Sequence, residues 1–350
     1  MWRFVQIPEF QWKHIVLKAE LMSNLFRILV VVVLFQQVLR AELPVSCDRT
    51  NTFRVSLPEG SVTGESSLRE HTIIWHPEKK KYYLLADVIP LASDNHPNTY
   101  NTEIHLFSSP DLADWRYHGV AIRKGTAADA FDRYGVASPV AATLADGVIY
   151  CPYSARRTRQ YTGRSAGLAW SGPDPEQIPW NKSGQPVSEL PGEDDDVALI
   201  SRAGDDRFHL YHRTTGVDGY QIVYRASKNP RDKASWSQAI TVAAPPVMVR
   251  AQELTGAVFV DGLFHLFIIE HFHKGSAQIA HVVSQQPAGP FRAYHKNQRY
   301  LEPEDQPRNI IYSGHITPVV RQGKWDAFFW TTSQQGKRYG LTGHPVRQNP

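Results

Sequence analysis

The chain has 350 residues, of which 42% are hydrophobic and 11% aromatic. This is enough apolar material for a large core, in one big domain or two ordinary ones. The net charge is +4, and residues 1–41 supply +3 of it, with five Lys/Arg and two Asp/Glu. The nearly neutral remainder argues against nucleic acid or an acidic membrane as the main partner, because both require a concentrated cationic surface.

The N-terminal segment is typical of an export signal. From Met22 the sequence reads "MSNLFRILVVVVLFQQVLRAE", in which Arg27 precedes an apolar run over 28–35 and Ala41 could end a cleavage site. The run is shorter than the roughly 20 residues that a membrane span needs. The pattern predicts a leader over 1–41 with the true start at Met22, and a secreted or periplasmic protein with no membrane association after cleavage. The alternative is a buried strand or helix.

Two cysteines, Cys47 and Cys151, lie 104 positions apart. In an exported protein they could form one disulfide. Two buried thiols fit the spacing equally well, so the sequence leaves both possibilities open.

Downstream of residue 65 the chain consists of short apolar or alternating runs that end in Gly, Asp, Asn or Pro, which is typical of an all-β protein. Pairs of strands joined by a polar turn occur five times. The second strand of each pair is marked by Tyr82, Ile149, Phe208, Phe264 and Ala327, with gaps of 67, 59, 56 and 63 residues. The regular spacing indicates an internal repeat.

Most of these units continue with a third strand and an edge-like fourth segment, as in "TEIHLFSSPDLADWRYHG" and "SAGLAWSGPDPEQIPWNKSG". Four strands in about 60 residues, five times over, predict a five-bladed β-propeller with four antiparallel strands per blade. We expect residues 42–350 to form this single domain. A β-sandwich with coincidental regularity is the alternative fold.

In a propeller the innermost strands surround a central channel, so the polar residues at their starts should converge in space. The residues at these five starts are Glu70 and His71, Ser138, Asp194–Asp196, Glu253, and His315. Three of the five positions carry acids and another carries a histidine. This loading with ionisable groups predicts a polar site at one mouth of the channel.

Glycosidic bond cleavage needs two carboxyl groups in different protonation states, one as acid and one as base or nucleophile. A third carboxylate nearby raises the pKa of the acid by like-charge repulsion. Glu70, the run Asp194–Asp196 and Glu253 offer such a trio. His315 could hold a water or a structural Ca²⁺ in the channel, although no cofactor is required. The acidic run could instead be a solvated turn or a calcium site.

Further side chains near the predicted mouth are candidates for sugar binding, since glycans are held by aromatic platforms and bidentate donors. The full set of substrate-binding candidates is His71, Trp75, Ser138, Arg156, Arg213, Arg250, His271 and His315. The segment "IIEHFH" could also suggest a metal site through His271 and His273, but the signal is weak, and no metal-binding residues are assigned.

Over residues 66–345 the chain resembles the five-bladed hydrolases of glycoside hydrolase families 43 and 32. The resemblance lies in "REHTII", in Glu253 before the fourth inner strand and in His315 before the last. It implies that Glu253 is the general acid and that Asp196 or Asp195 tunes its pKa. Glu70 stands where the family has an Asp base, and His71 where it has Pro. The sequence motif with which family 32 proteins open is absent, so the chain resembles family 43 more than family 32.

These observations predict a monomeric glycosidase that cleaves a plant- or algal-type polysaccharide or oligosaccharide. Inversion is the expected outcome if the likeness to family 43 holds. Two alternatives remain: a propeller that binds carbohydrate without cleaving it, because the blade-one Asp is missing, and a secreted propeller that binds proteins. The hydrolase hypothesis requires Glu70, Asp196 and Glu253 to converge within roughly 12 Å.

Overall fold

The computed structural model describes residues 47–48, 50–59, 66–90, 101–158, 163–190, 194–202, 204–216, 219–243, 251–270, 278–294, 310–334 and 338–347. All of them belong to one compact unit, Val45–Pro350. The leader predicted over 1–41 lies outside the described residues and stays a prediction. Within the described part of the chain, no helix is long and apolar enough to cross a membrane.

Five sheets make up the fold, and this confirms the predicted five-bladed propeller. Blade one contains β2 (Ser66–His76), β3 (Lys81–Pro90), β4 (Glu103–Ser109) and β5 (Arg116–Ile122). Blade two contains β6 (Gly135–Ala137), β8 (Thr143–Ala145), β9 (Val148–Arg156), β10 (Arg164–Trp170) and β11 (Asn181–Lys182). Blade three contains β7 (Pro139–Ala141), β12 (Asp195–Ser201), β13 (Phe208–Gly216), β14 (Gly219–Ser227) and β15 (Ile240–Ala243), with a 3-10 turn at Lys233–Ser235.

Blade four contains β16 (Ala251–Val260), β17 (Leu263–Glu270), β18 (Gln278–Ser284) and β19 (Arg292–Ala293). Blade five contains β20 (Ile310–Arg321), β21 (Lys324–Gln334), β22 (Arg338–Pro345) and β1 (Phe53–Val55). The inner strands of all five blades line a central cavity of about 130 Å³. The residues just before this cavity on each strand therefore surround one channel.

The ring is closed by a strand that precedes blade one in the sequence. β1 pairs antiparallel with β22, with Phe53 opposite Gly343 and Val55 opposite Leu341. The Phe53 ring stacks on Phe329, 6.0 Å between centroids. The fourth strand of the last blade thus comes from the N-terminal side of the chain, which the sequence repeat does not reveal.

The two cysteines lie in different blades. Cys47 forms a bridge with Val346 and packs with the cluster between blades four and five. Cys151 is buried in the cluster between blades one and two. They are not joined in a disulfide. Of the two alternatives that the sequence leaves open, the disulfide is therefore wrong.

The core consists of five apolar clusters, one between each pair of neighbouring blades. Tyr211 of blade three and Phe264 of blade four, for example, are fully buried in the same cluster. Where blades four and five meet, a Cβ on Gly256 would lie 2.7 Å from the Ile316 carbonyl oxygen. Only glycine permits this approach of the two inner strands.

Blade four also buries two histidines, and these make the stability of the fold sensitive to acid. His265 Nδ1 lies 2.8 Å from His281 Nε2. Burial lowers the pKa of His265 to about 3 and that of His281 well below its usual value. Because the folded-state pKa is depressed, the unfolded chain takes up the proton first as the pH falls below about 6.5. Stability is therefore lost progressively between that pH and the folded-state pKa.

We predict that His265→Gln weakens this acid sensitivity. Between pH 7 and pH 5 the free energy of unfolding should fall by about 2 kcal/mol less in the variant than in the wild type, at about 1.36 kcal/mol per pH unit below 6.5. Denaturant unfolding at each pH measures it. Between pH 7 and pH 8 the two proteins should show the same change, which serves as the control. Parallel curves over the whole range would contradict the prediction.

Candidate active site

The residues predicted to converge sit at irregularities of the inner strands. In blade one, Leu68 pairs with Val88 and His71 with Ala86, so that Arg69 and Glu70 together oppose a single residue. Pairing also shifts at 195–198, at 251–256 and at 312–316. A β-bulge bends the strand and re-aims side chains. Each bulge thus lies at, or spans, one of the predicted positions: Glu70, Asp195–Asp196, Glu253 and His315.

Blade two reaches the same result by breaking its inner strand. Ser138 separates β6, which pairs with β9, from β7, which pairs in parallel with β12 of blade three. Its backbone has φ of 52°, as does that of Asp196 in blade three. This left-handed conformation is uncommon outside glycine. It places both residues at matching turns of neighbouring strands.

Glu70 lies at the centre of the cluster and is 3% exposed. Its Oε1 is bonded to Arg69, and its Oε2 accepts a hydrogen bond from Ser138 Oγ. His315 Nε2 lies 3.7 Å from Oε1. Burial alone would raise the pKa of the Glu70 carboxyl, but Arg69, His315 and the Ser138 hydroxyl outweigh burial and lower the pKa to about 2. Glu70 is therefore ionised at any ordinary pH.

His315 connects Glu70 to Glu253. Its Nε2 lies 3.3 Å from Glu253 Oε2. The Glu70 and Glu253 oxygens are thus at most 7.0 Å apart, since they lie 3.7 and 3.3 Å from the same nitrogen. The Glu253 side chain is 19% exposed, compared with 3% for Glu70. Glu253 is the carboxyl of this pair that an incoming molecule can reach.

The two neighbouring aspartates of blade three have different surroundings. Asp195 is buried between two guanidinium groups, with Arg213 Nη2 at 2.5 Å and a direct ion pair to Arg164. It also accepts a hydrogen bond from Ser154 Oγ. Ser138 Oγ lies 3.4 Å from it and bonds Glu70 as well. Asp195 is therefore held as a structural anion behind the site.

Asp196 faces the other carboxyl groups. Its Oδ2 lies 2.8 Å from Arg213 Nε, and its backbone amide donates to Ser154 Oγ at 3.2 Å. Burial raises the pKa of the Asp196 carboxyl to about 8, against the influence of Arg213, and Glu253 and Glu70 add to the rise. Asp196 therefore interacts electrostatically with Glu253, as a carboxyl group that tunes the pKa of the acid must.

The third member of the acidic run is also buried. Asp194 Oδ1 lies 3.3 Å from His212 Nδ1, and Oδ2 accepts from the Leu190 amide at 2.9 Å. The side chain is 0% exposed. The alternative of a solvated acidic turn is therefore wrong for all three aspartates.

Two predicted substrate-binding residues of blade one, His71 and Trp75, have structural contacts. His71 is 2% exposed. Its Nδ1 is 3.1 Å from the Arg69 carbonyl oxygen, and Thr317 Oγ1 donates to the His71 carbonyl. It supports the junction with blade five. Trp75 packs on Tyr82 near the opposite end of β2, about 16 Å from Glu70 at 3.3 Å per residue. The structure does not bring Trp75 to the carboxyl groups.

The predicted arginines divide in the same way. Arg213 is in the site, where it bonds both Asp195 and Asp196 and stacks on Tyr220, 4.4 Å from the ring centroid. Arg156 is buried on β9 directly opposite Arg164 of β10. Arg250 and His271 lie outside the described residues, and their proposed contacts stay predictions.

Three site residues were missed by sequence reasoning: Ser154, Arg164 and Asp87. All three lie on second or third strands, whereas the repeat in the sequence points to the starts of inner strands. Asp87 accepts a hydrogen bond from the Glu70 amide at 2.7 Å. A search for charged residues within otherwise apolar second strands would have found Asp87 in "KYYLLADVIP".

The calcium ion considered for the channel also stays a prediction. Ca²⁺ takes six to eight oxygen ligands. Within the described ranges no three His, Cys, Asp or Glu side chains form a metal-binding group, and His315 Nε2 lies 3.7 Å from Glu70 and 3.3 Å from Glu253. No step of the chemistry below depends on a metal.

No family model matches the chain. No curated protein matches it by sequence either. Several solved structures match it in fold. A thermostable family-43 glycoside hydrolase has a TM-score of 0.61 at 16% identity, over 83% of this chain and 93% of that one. A family 117 glycoside hydrolase of the marine bacterium Zobellia galactanivorans has a TM-score of 0.61 at 15% identity, over 84% and 89%. An endo-arabinase of Bacteroides thetaiotaomicron has a TM-score of 0.54 at 14% identity, over 84% and 98%.

At identities of 16% or less these likenesses concern the fold. A fold hosts many functions, so chemistry must be argued from the site. The chain shares the five-bladed propeller of these glycoside hydrolases.

Proposed function

We propose that this protein is a glycoside hydrolase in which Glu253 is the general acid and Glu70 the general base. The observation that carries the proposal is the convergence of these two carboxyl groups on His315 Nε2, at 3.3 and 3.7 Å. They come from blades four and one, far apart in sequence. Two carboxyl groups in different environments are what glycosidic cleavage requires.

In this mechanism the sugar binds over the channel mouth. Glu253 donates its proton to the glycosidic oxygen as the bond to the anomeric carbon breaks. Glu70 accepts a proton from a water that attacks the opposite face of the same carbon. Because its pKa is about 2, Glu70 is ionised and ready to accept that proton.

Asp196 provides the third carboxyl group. Its pKa of about 8 means that a proton is retained beside Glu253 at neutral pH. That proton is held by Asp196, whose negative charge would otherwise interact unfavourably with Glu253 and Glu70. Glu253 is the member exposed enough to pass a proton to a substrate oxygen.

Inversion follows from the surroundings of Glu70. Inverting enzymes hold their carboxyl groups about 6.5–9.5 Å apart, and retaining enzymes about 5–5.5 Å. The 7.0 Å upper limit for the nearest oxygens admits both ranges, so the choice between them rests on the partners of Glu70. Both oxygens of Glu70 are engaged by Arg69, His315 and Ser138. A carboxylate held in this way can accept a proton from water but is poorly placed to attack carbon directly.

The test is hydrolysis followed by NMR of the first sugar released. Purified protein is incubated with aryl arabinosides, xylosides and galactosides, and with arabinan and fructans. The arabinan is included because one structural neighbour is an endo-arabinase. We expect hydrolysis of at least one of these, with the anomer of opposite configuration formed first. The retained anomer would overturn inversion, and no hydrolysis of any of them would overturn the hydrolase assignment.

A second candidate is a propeller that binds carbohydrate without cleaving it. The observation that favours it is Glu70 itself, which is longer than the Asp of family 43 and buried among three partners. Binding without hydrolysis in the same experiment would support it. The protein-binding alternative is disfavoured, because Ile240, at 47%, is the one large hydrophobic residue in the described part of the chain that is exposed.

A further inference from the structure

A second carboxyl group lies directly behind Glu70, and the mechanism above gives it no role. Asp87 is on β3, where it opposes the bulge formed by Arg69 and Glu70. It is 0% exposed. Its Oδ1 accepts a hydrogen bond from the Glu70 backbone amide at 2.7 Å. The bulge that aims Glu70 at the channel is thus fixed by an acidic side chain from the neighbouring strand.

The groups around Asp87 determine its charge. Burial raises the pKa of its carboxyl to about 7, and the charge on Glu70 adds to the rise. Arg69 and the backbone amides of Glu70 and Ser138 lower the pKa of Asp87 and so oppose this rise. On the other side, β4 places the uncharged Ile104 opposite Asp87. Two buried carboxyl groups that repel each other in this way do not both ionise readily.

The negative charge of the pair falls on Glu70 for a structural reason. Glu70 has Arg69, His315 and the Ser138 hydroxyl around its two oxygens. Asp87, in contrast, is met by the backbone amides of Glu70 and Ser138, and its buried Oδ2 has no hydrogen bond within the usual distance and angle limits among the described residues. The unequal surroundings stabilise the charge on Glu70 and leave the proton on Asp87.

We propose that Asp87 is the positioning residue of the base: its protonated carboxyl fixes the bulged backbone of Glu70 and leaves the single negative charge of the pair on Glu70. This inference rests on the proposed function, since it assigns Asp87 to the same site. At a pH above about 7 Asp87 ionises, and a second negative charge appears beside Glu70. The rate should therefore fall on the alkaline side as Asp87 loses its proton.

The decisive variant is Asp87→Asn, which keeps the shape and the acceptor for the Glu70 amide but cannot ionise. At pH values below about 7 the kcat of this variant should stay near that of the wild type. The decrease in kcat that the wild type shows above about pH 7 should move toward pH 8, where Asp196 loses its proton. Asp87→Ala removes the contact and should lower kcat by about 100-fold, the cost of a displaced catalytic group. KM should change little, because Asp87 does not touch substrate.

A second measurement does not depend on turnover. Infrared difference spectra between wild type and Asp87→Asn should show a protonated carboxyl band at acid pH that disappears as the pH rises through about 7. Absence of the band, or an unchanged pH–rate profile in Asp87→Asn, would overturn the proposal. If no glycoside is hydrolysed but the band is present, the hydrolase assignment fails while the proton on Asp87 stands.

Discussion

Replacing Glu253 with Gln should lower kcat by about 10²–10⁴-fold on a substrate with a poor leaving group, which is the usual contribution of a general acid. The substitution keeps the size of the side chain beside His315, 3.3 Å away, but removes the proton that the glycosidic oxygen needs. Initial rates on an unactivated oligosaccharide measure the loss. The protein should remain folded, because Glu253 is partly exposed.

Substrates with different leaving groups distinguish loss of the general acid from loss of the folded structure. On an aryl glycoside whose phenol leaves as an anion without protonation, Glu253→Gln should keep most of the wild-type rate. A matched variant at the far end of the same blade is Asp261→Asn, where Asp261 accepts a hydrogen bond from Trp325. It should leave both rates unchanged. Equal losses of Glu253→Gln on both substrates would show that Glu253 is not the acid.

The fold and the main carboxyl groups could be predicted from the sequence because the information is local and repeated. Each blade begins with a hairpin whose turn and apolar alternation are visible in the chain. A polar residue at the start of each inner strand then falls at the channel by geometry alone. This geometry predicts that Glu70, Glu253 and His315 lie together. In the structure both carboxyl groups lie within 3.7 Å of His315 Nε2.

What could not be predicted depends on strand register and on non-local contacts. Asp87 faces the Glu70 amide only because a bulge sets two residues against one. Trp75 is only five residues from Glu70, but along an extended strand that separation places it at the opposite end. The closing strand β1 joins the last blade across nearly the whole sequence.

The different roles of Asp195 and Asp196 could not be predicted from the sequence either. Adjacent strand residues point to opposite faces, but the positive φ of Asp196 breaks this alternation. Both carboxyl groups therefore contact Arg213. Their roles are separated by what else they meet: Arg164 in the case of Asp195, and the electrostatic influence of Glu253 in the case of Asp196.

Replacing Asp195 with Asn should therefore destabilise the fold by about 3–5 kcal/mol, the usual cost of removing one partner from a buried ion pair. The variant keeps the shape but takes the negative charge away from Arg164 and Arg213, which are both 3% exposed. Denaturant unfolding at neutral pH measures the change. Asp206→Asn is the control: its partner is the exposed Lys228, and exposed pairs contribute little.

Asp196→Asn should behave in the opposite way. With a pKa of about 8, Asp196 is mostly uncharged at neutral pH, so a neutral amide of the same shape should cost little stability. The pH–rate profile should change instead: the fall near pH 7 that Asp87 causes should remain, while the further fall near pH 8 should disappear, because the group that loses its proton there is gone. Loss of the fold in Asp196→Asn, together with a stable Asp195→Asn whose profile is altered, would reverse the two assignments. The tuning carboxyl would then be Asp195, and the ion pair with Arg164 would have to break during the reaction.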